Sequence, residues 1–423
     1  MSVDTPAKIA IIGAGPIGLE AALYARYLGY DVDLYERGRV LEGVRRGTHL
    51  TWFAPWERNV TSLGVASLRN QDSEWRPAKN GETLTGAEWI ERYFEPLSQC
   101  DLLADCILPE VEVVAVGREG LLKSDFYQDD RRIDVPFRLL LREADGTERI
   151  DYADVVFDCS GLSTPNPLGN GGLPARGESM TAERIEYSIP DLLGAVQDTA
   201  REEYVGKHTL VVGGGYSAAT SIVGLAKLAE SNPATKATWV TRRENSGTRP
   251  GPIAQLADDP LPERDALAQR ANMLALDPKS CVEHCPATYV DAVEWNESEQ
   301  KFEVELSGRH AGFYKFDRII AGVGFAPETE LYSQLQVFHS PTTDGPAPLA
   351  QLLERRTQTG SVPTTAELAQ ALLNPEPDFY VLGSKSFGRR SDFTLVDGHD
   401  QIRALFTIIG DRETLDLYKT HPL

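Results

Sequence analysis

Residues 8–36 constrain the fold of this chain more than any other stretch. They read KIAIIGAGPIGLEAALYARYLGYDVDLYE. An apolar strand is predicted at residues 9–12, a glycine-rich turn follows at 13–18, and a helix-compatible segment comes next. A second strand, at residues 31–35, ends on the acid Glu36. A strand, turn, helix and strand in this order are typical of a dinucleotide-binding fold.

The three glycines of the first turn have distinct expected roles. Gly13 allows the tight turn, Gly15 lets a pyrophosphate approach the backbone, and Gly18 lets the helix pack closely on the strand. The pyrophosphate is expected on N–H groups at the helix N-terminus, and Glu36 is placed to accept hydrogen bonds from ribose hydroxyls. A glycine-rich turn that binds no ligand is the alternative.

Length and charge limit the possible classes of protein. At 423 residues the chain exceeds a single ordinary core, so two domains or one large composite are expected. The 41% hydrophobic and 25% charged residues are typical of soluble globular proteins. The formal net charge of −21 argues against nucleic acid or an anionic membrane as a general partner.

Apolar runs and cysteines predict a cytoplasmic protein. The sequence contains no apolar run near the roughly 20 residues that span a bilayer. The first strand begins so early that we expect no signal peptide. Five cysteines without framework spacing fit a reducing compartment.

Residues 207–243 repeat the opening pattern. A strand at 208–212 leads into the turn GGGYSA at 213–218, a helix follows, and a strand at 237–240 precedes two arginines. Alanine replaces the third glycine, which this motif tolerates. Arg242 and Arg243 stand where an acid would suit a bare ribose, and they suit a 2′-phosphate. The pattern therefore favours NADPH over NADH, with two solvated surface cations as the alternative.

The repeat extends beyond the glycine turns. Hairpins are predicted near residues 137–151 and 302–316. A buried strand follows each hairpin, at residues 152–158 and 317–321, and a glycine stands shortly after each strand. A repeat on this scale predicts two dinucleotide-binding domains, with electron transfer between two bound nucleotides.

The segment after the second strand combines aromatic and cationic residues with little periodicity. Such loops on α/β scaffolds commonly line a site. The alternative is a surface loop pinned by buried tryptophans.

A helix is predicted at residues 85–95, capped by Thr85 with Glu88 three residues later.

Five motifs resemble a known family. They are GAGPIG with Glu36, DVVFDCSG, VVGGGYSAATS with TRR, DRIIAGVGFAPET, and VLGSKS…GHDQI. Together they resemble the flavoprotein oxidoreductases with two dinucleotide-binding domains. This group includes pyridine-nucleotide disulfide reductases, thioredoxin reductases and class B flavin monooxygenases. The resemblance covers nearly the whole chain.

The resemblance implies the fold and the domains. The implied fold class is α/β, with two Rossmann-like three-layer dinucleotide-binding domains, the second inserted in the first, and with β-meander hairpins. Residues 1–200 would begin the FAD-binding domain, 201–326 would form the NAD(P)H-binding domain, and 327–423 would return to the FAD-binding domain.

The resemblance also implies cofactor contacts. Those for FAD are Gly13, Gly15, Pro16, Ile17, Gly18, Glu36, Arg37, Gly161, Gly383 and Gln401. Those for NADPH are Gly213, Gly215, Tyr216, Ser217, Arg242, Arg243 and Gly324. Ser384 stands where the family carries an acid, which weakens that contact. The last helix is expected to begin near His399 with Gln401 in its first turn, and its N-terminus could stabilise negative charge on a reduced flavin ring. An ordinary C-terminal helix is the alternative.

Departures from the family favour one type of reaction. Residues 38–60 and 162–206 lack the redox cysteine pair of disulfide reductases. Cys281 and Cys285 are separated by three residues rather than two and lie late in the nucleotide domain. The stretch CVEHC lacks a second ligand pair, so we expect no metal site. The stretch ERIEYSIPDLLG lacks the His of the class B monooxygenase signature, Phe-x-Gly-x-x-x-His.

The leading hypothesis is an FAD enzyme reduced by NADPH that uses O₂ to oxygenate a small molecule. His49 and Arg46 are candidates for hydrogen bonds at the flavin, and Trp52 or Trp56 for shielding it. The alternatives are a reductase or dehydrogenase without oxygen activation and a non-catalytic flavin-binding sensor. The expected partners are a small-molecule substrate and, in a homodimer, a second copy. The sequence leaves the substrate and the oligomeric state open.

Overall fold

The computed structural model describes residues 3–194, 198–246, 251–255 and 259–420. The chain forms two compact units. Unit 1 consists of Met1–Thr164 and Ala326–Leu423, and unit 2 consists of Pro165–Phe325. The second unit therefore interrupts the first along the chain, as predicted.

The secondary structure elements are numbered in chain order. The strands are β1 (Lys8–Ile12), β2 (Asp31–Glu36), β3 (Ile107–Pro109), β4 (Val111–Arg118), β5 (Phe137–Glu143), β6 (Glu148–Ala153), β7 (Val155–Asp158), β8 (Thr164–Pro165), β9 (His208–Val212), β10 (Lys236–Thr241), β11 (Val282–Pro286), β12 (Thr288–Asn296), β13 (Lys301–Gly308), β14 (Gly312–Phe316), β15 (Arg318–Ala321), β16 (Phe325–Ala326) and β17 (Phe379–Val381). The helices are α1 (Pro16–Tyr27), α2 (Glu42–Arg45), α3 (Ser62–Gln71), α4 (Gly86–Trp89), α5 (Glu95–Ser98), α6 (Glu178–Thr181), α7 (Asp198–Glu202), α8 (Tyr216–Ser231), α9 (Pro262–Leu276), α10 (Ala347–Thr359), α11 (Thr365–Ala371), α12 (Leu395–Ile409) and α13 (Leu417–Thr420).

Unit 1 is built on a parallel sheet with the strand order β17-β7-β1-β2-β3. The registers place Ile11 beside Leu34 on β2 and beside Phe157 on β7. These three side chains are fully buried, as expected for strands covered on both faces. The antiparallel strands β4, β5 and β6 form a separate meander.

Unit 2 repeats this plan. Its parallel sheet has the order β11-β10-β9-β15, and β12, β13 and β14 form its meander. Ile222 of α8 and Ala271 of α9 are fully buried in one core cluster with Trp239 of β10. The α/β class, the two Rossmann-like units and the meanders are confirmed.

The first division between the units lies earlier than the predicted boundary at residue 200. Leu168 and Ile185 are buried in the same core as Val290, within unit 2. The N–H of Glu186 also donates to the carbonyl of Ile319 at 3.0 Å. Because this segment packs on the second sheet, unit 2 begins at Pro165. The second division lies after Phe325.

Two predicted boundaries within unit 1 are wrong. The strand predicted at 152–158 starts only at Val155, because Ala153 still pairs with Phe137 in the meander. The helix predicted as the last one, near His399, begins at Leu395, and the short helix α13 follows it. A capping box of Thr394 and Asp397 sets this start. Gln401 therefore lies in the second turn of α12.

The predicted cap at Thr85 is confirmed. The Thr85 hydroxyl accepts the N–H of Glu88, and the Glu88 carboxylate accepts the N–H of Thr85. The helical segment continues past the predicted end, through a π-helical turn at Ile90–Phe94 and then α5.

The described ranges show neither a helix suited to cross a bilayer nor a cluster of metal-binding side chains. None of the helices found there combines the length and the apolar character needed to cross a bilayer. In the same ranges, His, Cys, Asp and Glu side chains form no group of three or more that could hold a metal ion.

A buried carboxyl group on α1 predicts a pH effect on stability. Glu20 accepts a hydrogen bond from the Thr61 hydroxyl at 2.8 Å. Burial raises the pKa of Glu20 from 4.5 to about 7. The folded state therefore holds this proton more tightly than the unfolded state, and stability is lost as the pH rises from about 4.5 through 7. Complete ionisation costs about 3 kcal/mol.

Melting temperatures between pH 5 and pH 8 test this effect. The wild-type protein is expected to lose more stability over this range than Glu20→Gln, which carries no ionisable group there. The exposed Glu230→Gln is the control and should follow the wild type. Parallel profiles for all three proteins would contradict the effect.

Candidate nucleotide-binding edges

The carboxyl ends of the parallel strands in unit 1 bring distant segments to one edge of the sheet. Gly13 follows β1, Glu36 ends β2, Cys159 follows β7, and Leu382 and Gly383 follow β17. Strands β2 and β7 flank β1 on opposite sides. The direction of the chain therefore switches beside β1, which is where open α/β sheets bind ligands.

The three glycines of the first turn differ in what surrounds them. Gly13 has a φ of +99°, and a Cβ there would lie 2.8 Å from the carbonyl oxygen of Cys159. A Cβ at Gly18 would lie 1.9 Å from the carbonyl oxygen of Gly13. A Cβ at Gly15 would meet nothing within 4 Å. Gly13 and Gly18 are thus required by the fold, whereas Gly15 leaves room for a ligand.

Helix α1 begins at this open position. Pro16 is its first residue, and the N-cap Gly15 provides no side-chain hydrogen bond. Ile17 is buried and lies 3.4 Å from the position of a Cβ at Gly383, so the helix start packs on the return segment. N–H groups in the first turn of an α-helix lack intrahelical acceptors and are suited to bind an anion.

Glu36 is held by the backbone of the same edge. One carboxylate oxygen accepts the N–H of Ala14 and the other accepts the N–H of Gly38, both at 3.0 Å. Each oxygen retains a lone pair, and the residue is half-buried, so it can accept further hydrogen bonds from hydroxyls. The neighbouring Arg37 is exposed.

Gln401 supports the turn that follows β17. Its side-chain oxygen accepts the N–H of Gly383 at 2.8 Å, and its amide donates to the Ser386 hydroxyl at 2.8 Å. Gln401 is only 1% exposed. Its polar atoms therefore bind protein groups, whereas the sequence predicts a cofactor contact for this residue.

A buried ion pair at this edge was not predicted. The Lys385 ammonium lies 2.6 Å from an oxygen of Asp158 and donates to the Ser160 hydroxyl at 3.0 Å. The Ser160 hydroxyl donates in turn to the other oxygen of Asp158 at 2.6 Å. Lys385 and Asp158 stand 227 positions apart, so no local pattern could pair them.

Trp52 and Trp56, the predicted shielding residues, lie in an aromatic cluster. Trp56 is 3% exposed and stacks on Trp89 with ring centroids 5.0 Å apart and an interplanar angle of 2°. Trp52 also stacks on Trp89, at 5.4 Å. These contacts favour the alternative interpretation, in which buried tryptophans pin the loop.

His49 and Arg46 lie in the same loop and differ from the tryptophans. The His49 Nε2 atom is buried without a hydrogen-bond partner in the described ranges. Arg46 is exposed, and its side chain makes no hydrogen bond or ion pair to another described residue. A buried ring nitrogen without a hydrogen-bond partner costs free energy unless a bound ligand or water satisfies it.

The carboxyl edge of the unit 2 sheet has the same organisation. Gly213 has a φ of +133°, and a Cβ there would lie 2.2 Å from the Gly322 carbonyl oxygen. A Cβ at Gly215 would meet nothing within 4 Å. Gly324 has a φ of +78°, and its carbonyl accepts the N–H of Asn166 at 2.9 Å. A required glycine thus precedes an open one, as in unit 1, and Gly214 between them is open as well.

The residues after these glycines begin helix α8. Tyr216 is its first residue, and its ring lies 5.8 Å from the guanidinium of Arg264. Ser217 is exposed. The N-cap Gly215 provides no side-chain hydrogen bond, so N–H groups at this start remain available to an anion.

Arg242 and Arg243 follow β10 and are exposed. Within the ranges that the structure describes, neither guanidinium makes a hydrogen bond or an ion pair. The Arg243 backbone carbonyl accepts the N–H of Ala287 at 3.4 Å, which holds the turn independently of the side chain.

All five cysteines fall in described segments, and none forms a disulfide. Cys159 lies at the edge beside Gly13, and burial raises the pKa of its thiol well above the ordinary value. Burial also raises the pKa of Cys285 to about 11. Protonated, buried thiols are poor nucleophiles. The edge in unit 1 therefore carries one cysteine rather than a redox pair.

His284, which lies between Cys281 and Cys285, contacts other side chains of unit 2. Its Nε2 lies 2.9 Å from the Thr241 hydroxyl, and its ring lies 5.5 Å from that of Trp239. Burial lowers the pKa of His284 to about 4.

Comparisons with known proteins agree with this geometry. Residues 8–45 match the family described as pyridine nucleotide-disulphide oxidoreductase. The fold is similar to that of bacillithiol disulfide reductase from Bacillus cereus, with a TM-score of 0.64 at 15% identity. That similarity covers 96% of this chain and 99% of the other. The chain resembles the pyridine nucleotide-disulphide oxidoreductases.

Two further comparisons add detail. Thioredoxin reductase from Lactococcus lactis gives a TM-score of 0.56 at 16% identity, over 96% of this chain and 99% of that one. A sequence match of 38% identity over 66 residues links the chain to kynurenine 3-monooxygenase from Phaeosphaeria nodorum. This match covers 15% of the chain and only 14% of the length of that relative.

Proposed function

We propose that the chain is an oxidoreductase that binds FAD in unit 1 and takes electrons from NADPH bound in unit 2. The observation that carries this proposal is the repeated edge. Each unit has a required glycine, Gly13 or Gly213, followed by an open glycine, Gly15 or Gly215, at the start of a helix. An acid follows in unit 1 and two arginines follow in unit 2.

The residues of unit 1 fit FAD. A pyrophosphate at Gly15 would meet free N–H groups of α1, and Glu36 keeps lone pairs for the adenosine ribose. The buried Nε2 of His49, which lacks a partner among the described residues, fits a ligand hydrogen bond. In unit 2, Gly215 would admit the second pyrophosphate and Arg242 and Arg243 would bind the 2′-phosphate.

Bound FAD would accept a hydride from NADPH and deliver the electrons to a second acceptor. The chain contributes binding and orientation. The helix starts would hold the two pyrophosphates, and Glu36 at the end of β2 and the arginines after β10 would distinguish the two ribose groups.

The proposed acceptor is O₂, with oxygenation of a small molecule. The absence of a cysteine pair at the unit 1 edge supports an acceptor other than a disulfide. The match to a kynurenine 3-monooxygenase is consistent with oxygen chemistry. The second candidate is hydride transfer to a small molecule without oxygen activation, which the likeness to two reductases favours. A homodimer stays a prediction.

Stopped-flow absorbance separates these functions. NADPH-reduced protein is mixed with O₂ in the presence and absence of candidate amines, thioethers, ketones and aromatics. A transient spectrum distinct from those of oxidised and reduced flavin, with product formed, supports the oxygenase. Direct return of the oxidised spectrum supports the reductase. Purified protein that contains flavin but is not reduced by NADPH would indicate a flavin-binding sensor.

Replacing Arg242 and Arg243 by alanine tests the cofactor choice. The double variant should raise the KM for NADPH by about 10- to 100-fold, because charge-assisted hydrogen bonds contribute about 1.5–3 kcal/mol. The KM for NADH should change little. Arg309→Ala, at an exposed turn of the unit 2 meander, is the matched control. An equal effect on both nucleotides would reject the 2′-phosphate role.

A further inference from the structure

The ion pair of Lys385 and Asp158 at the unit 1 edge is buried but lies beside an exposed residue. The side chains of Lys385 and Asp158 are 1% and 0% exposed, whereas Ser160 is exposed. The ammonium donates to Asp158 and Ser160 and lies 5.2 Å from the ring centroid of Tyr332. Two of the three ammonium N–H groups therefore have hydrogen-bond acceptors, and the ring lies within cation–π range. The closed triangle of lysine, carboxylate and hydroxyl is therefore a fixed unit directly beneath an accessible turn.

This triangle joins three segments of the candidate site. The N–H of Ser160 donates to Asp158 at 3.0 Å, which fixes the turn after β7. The N–H of Leu382 donates to the Asp158 carbonyl at 3.0 Å, which aligns the turn after β17. A Cβ at Gly13 would lie 2.8 Å from the Cys159 carbonyl oxygen and from the Ser160 Cα atom. The turn that the lysine holds thus packs against the first glycine turn.

Stability alone does not account for a lysine at this position. A buried ion pair is often replaceable by apolar residues without loss of stability. Here the pair ties the turn after β7 to the turn after β17, at the edge where the anionic cofactor is proposed. Such an ion pair is useful where a binding site must be held in one geometry.

We propose that Lys385 is a positioning residue for the first dinucleotide site. It fixes the turn after β7 against Gly13 and thereby sets the affinity of unit 1 for FAD. This inference rests on the proposed function. Because Lys385 lies in unit 1, the NADPH affinity of unit 2 should not depend on it.

Three variants and one control test the role of Lys385. Lys385→Met removes the ammonium but leaves the Asp158 charge buried. The double variant Lys385→Met with Asp158→Asn removes both charges. Lys8→Met is the control, because Lys8 pairs with Asp33 and Asp151 at the amino end of the same sheet. Lys385→Arg keeps the charge. FAD and NADPH dissociation constants and the melting temperature of the flavin-free protein are measured for each.

The expected result separates positioning from mere stability. Both Lys385→Met and the double variant should weaken FAD binding about tenfold or more, and the NADPH affinity should stay unchanged. The double variant should melt higher than Lys385→Met, because it buries no unpaired charge. Lys385→Arg should recover part of the FAD affinity, and Lys8→Met should bind FAD like the wild type.

Three outcomes would overturn the inference. Full FAD affinity in the double variant would mean that the unpaired Asp158 charge, and not the missing lysine, caused the loss. Equal losses for FAD and NADPH would indicate general damage to the fold. Wild-type affinity in all variants would show that the turn needs no lysine. If the wild-type protein itself binds no FAD, the proposed function fails together with the inference.

Discussion

Glu376→Gln is expected to destabilise unit 1 by about 3–5 kcal/mol, since it leaves two buried guanidinium groups without their counter-charge. The Glu376 carboxylate accepts hydrogen bonds from Arg118 at 2.9 Å and from Arg132 at 2.7 Å. It also accepts the N–H of Gln336 at 3.0 Å. All three charged side chains are 0% exposed.

The arrangement explains why this carboxylate is critical. It lies on the return segment, whereas Arg118 belongs to β4 and Arg132 to the connection between β4 and β5. Burial lowers the pKa of Arg118, and its ion pair with Glu376 raises it in part. Without the carboxylate, the cost of burying both cations is no longer offset.

Denaturant unfolding of the flavin-free protein measures the effect. The control is Glu299→Gln, which removes one partner of the surface pair with Lys315. Exposed pairs contribute little to stability, so the control should unfold like the wild type. Similar losses in the two variants would contradict the account of the buried cluster.

Gly18→Ala is expected to have the second large effect, through packing rather than charge. Alanine in a helix interior normally gains about 1 kcal/mol over glycine. Here the added Cβ would lie 1.9 Å from the Gly13 carbonyl oxygen, a backbone atom that cannot move alone. The start of α1 must separate from β1, and we expect a loss of about 2–3 kcal/mol with loss of FAD binding.

Gly15→Ala is the matched control in the same turn. Its backbone has a φ of −80°, which alanine adopts readily, and its Cβ would meet nothing within 4 Å. The flavin-free protein should therefore lose less than about 1 kcal/mol. The measurement is the free energy of unfolding of both variants without ligand. Equal stability of the two would contradict the close packing at Gly18.

The sequence predicts the two sheets well because their signals are local. Strand β1, the turn and helix α1 follow each other directly, and the spacing of the three glycines is contained within residues 13–18. The same signals recur at Gly213. Strands β11 and β12 and helix α10 were missed, since their patterns are weak beside the glycine motifs.

Side-chain roles were less predictable because their partners are distant in the chain. The sequence predicts Trp56 as a shielding residue, but its ring stacks on that of Trp89, 33 positions further along the chain. The pair of Lys385 and Asp158 spans 227 positions and carries no motif. The true start of α12 could have been found, since Thr394 and Asp397 have capping-box spacing with Asp in place of the usual Glu.

The most direct test of the two-nucleotide account is separate titration of FAD and NADPH into Gly15→Ala and Gly215→Ala. Both added methyl groups enter open space beside a helix start, so neither should disturb the fold. The account predicts that Gly15→Ala weakens FAD binding about tenfold or more and leaves NADPH binding unchanged. Gly215→Ala should weaken NADPH binding to the same extent and leave FAD binding unchanged. If both variants weaken the binding of the same nucleotide, or if neither weakens the binding of either one, the assignment of one nucleotide to each unit is wrong.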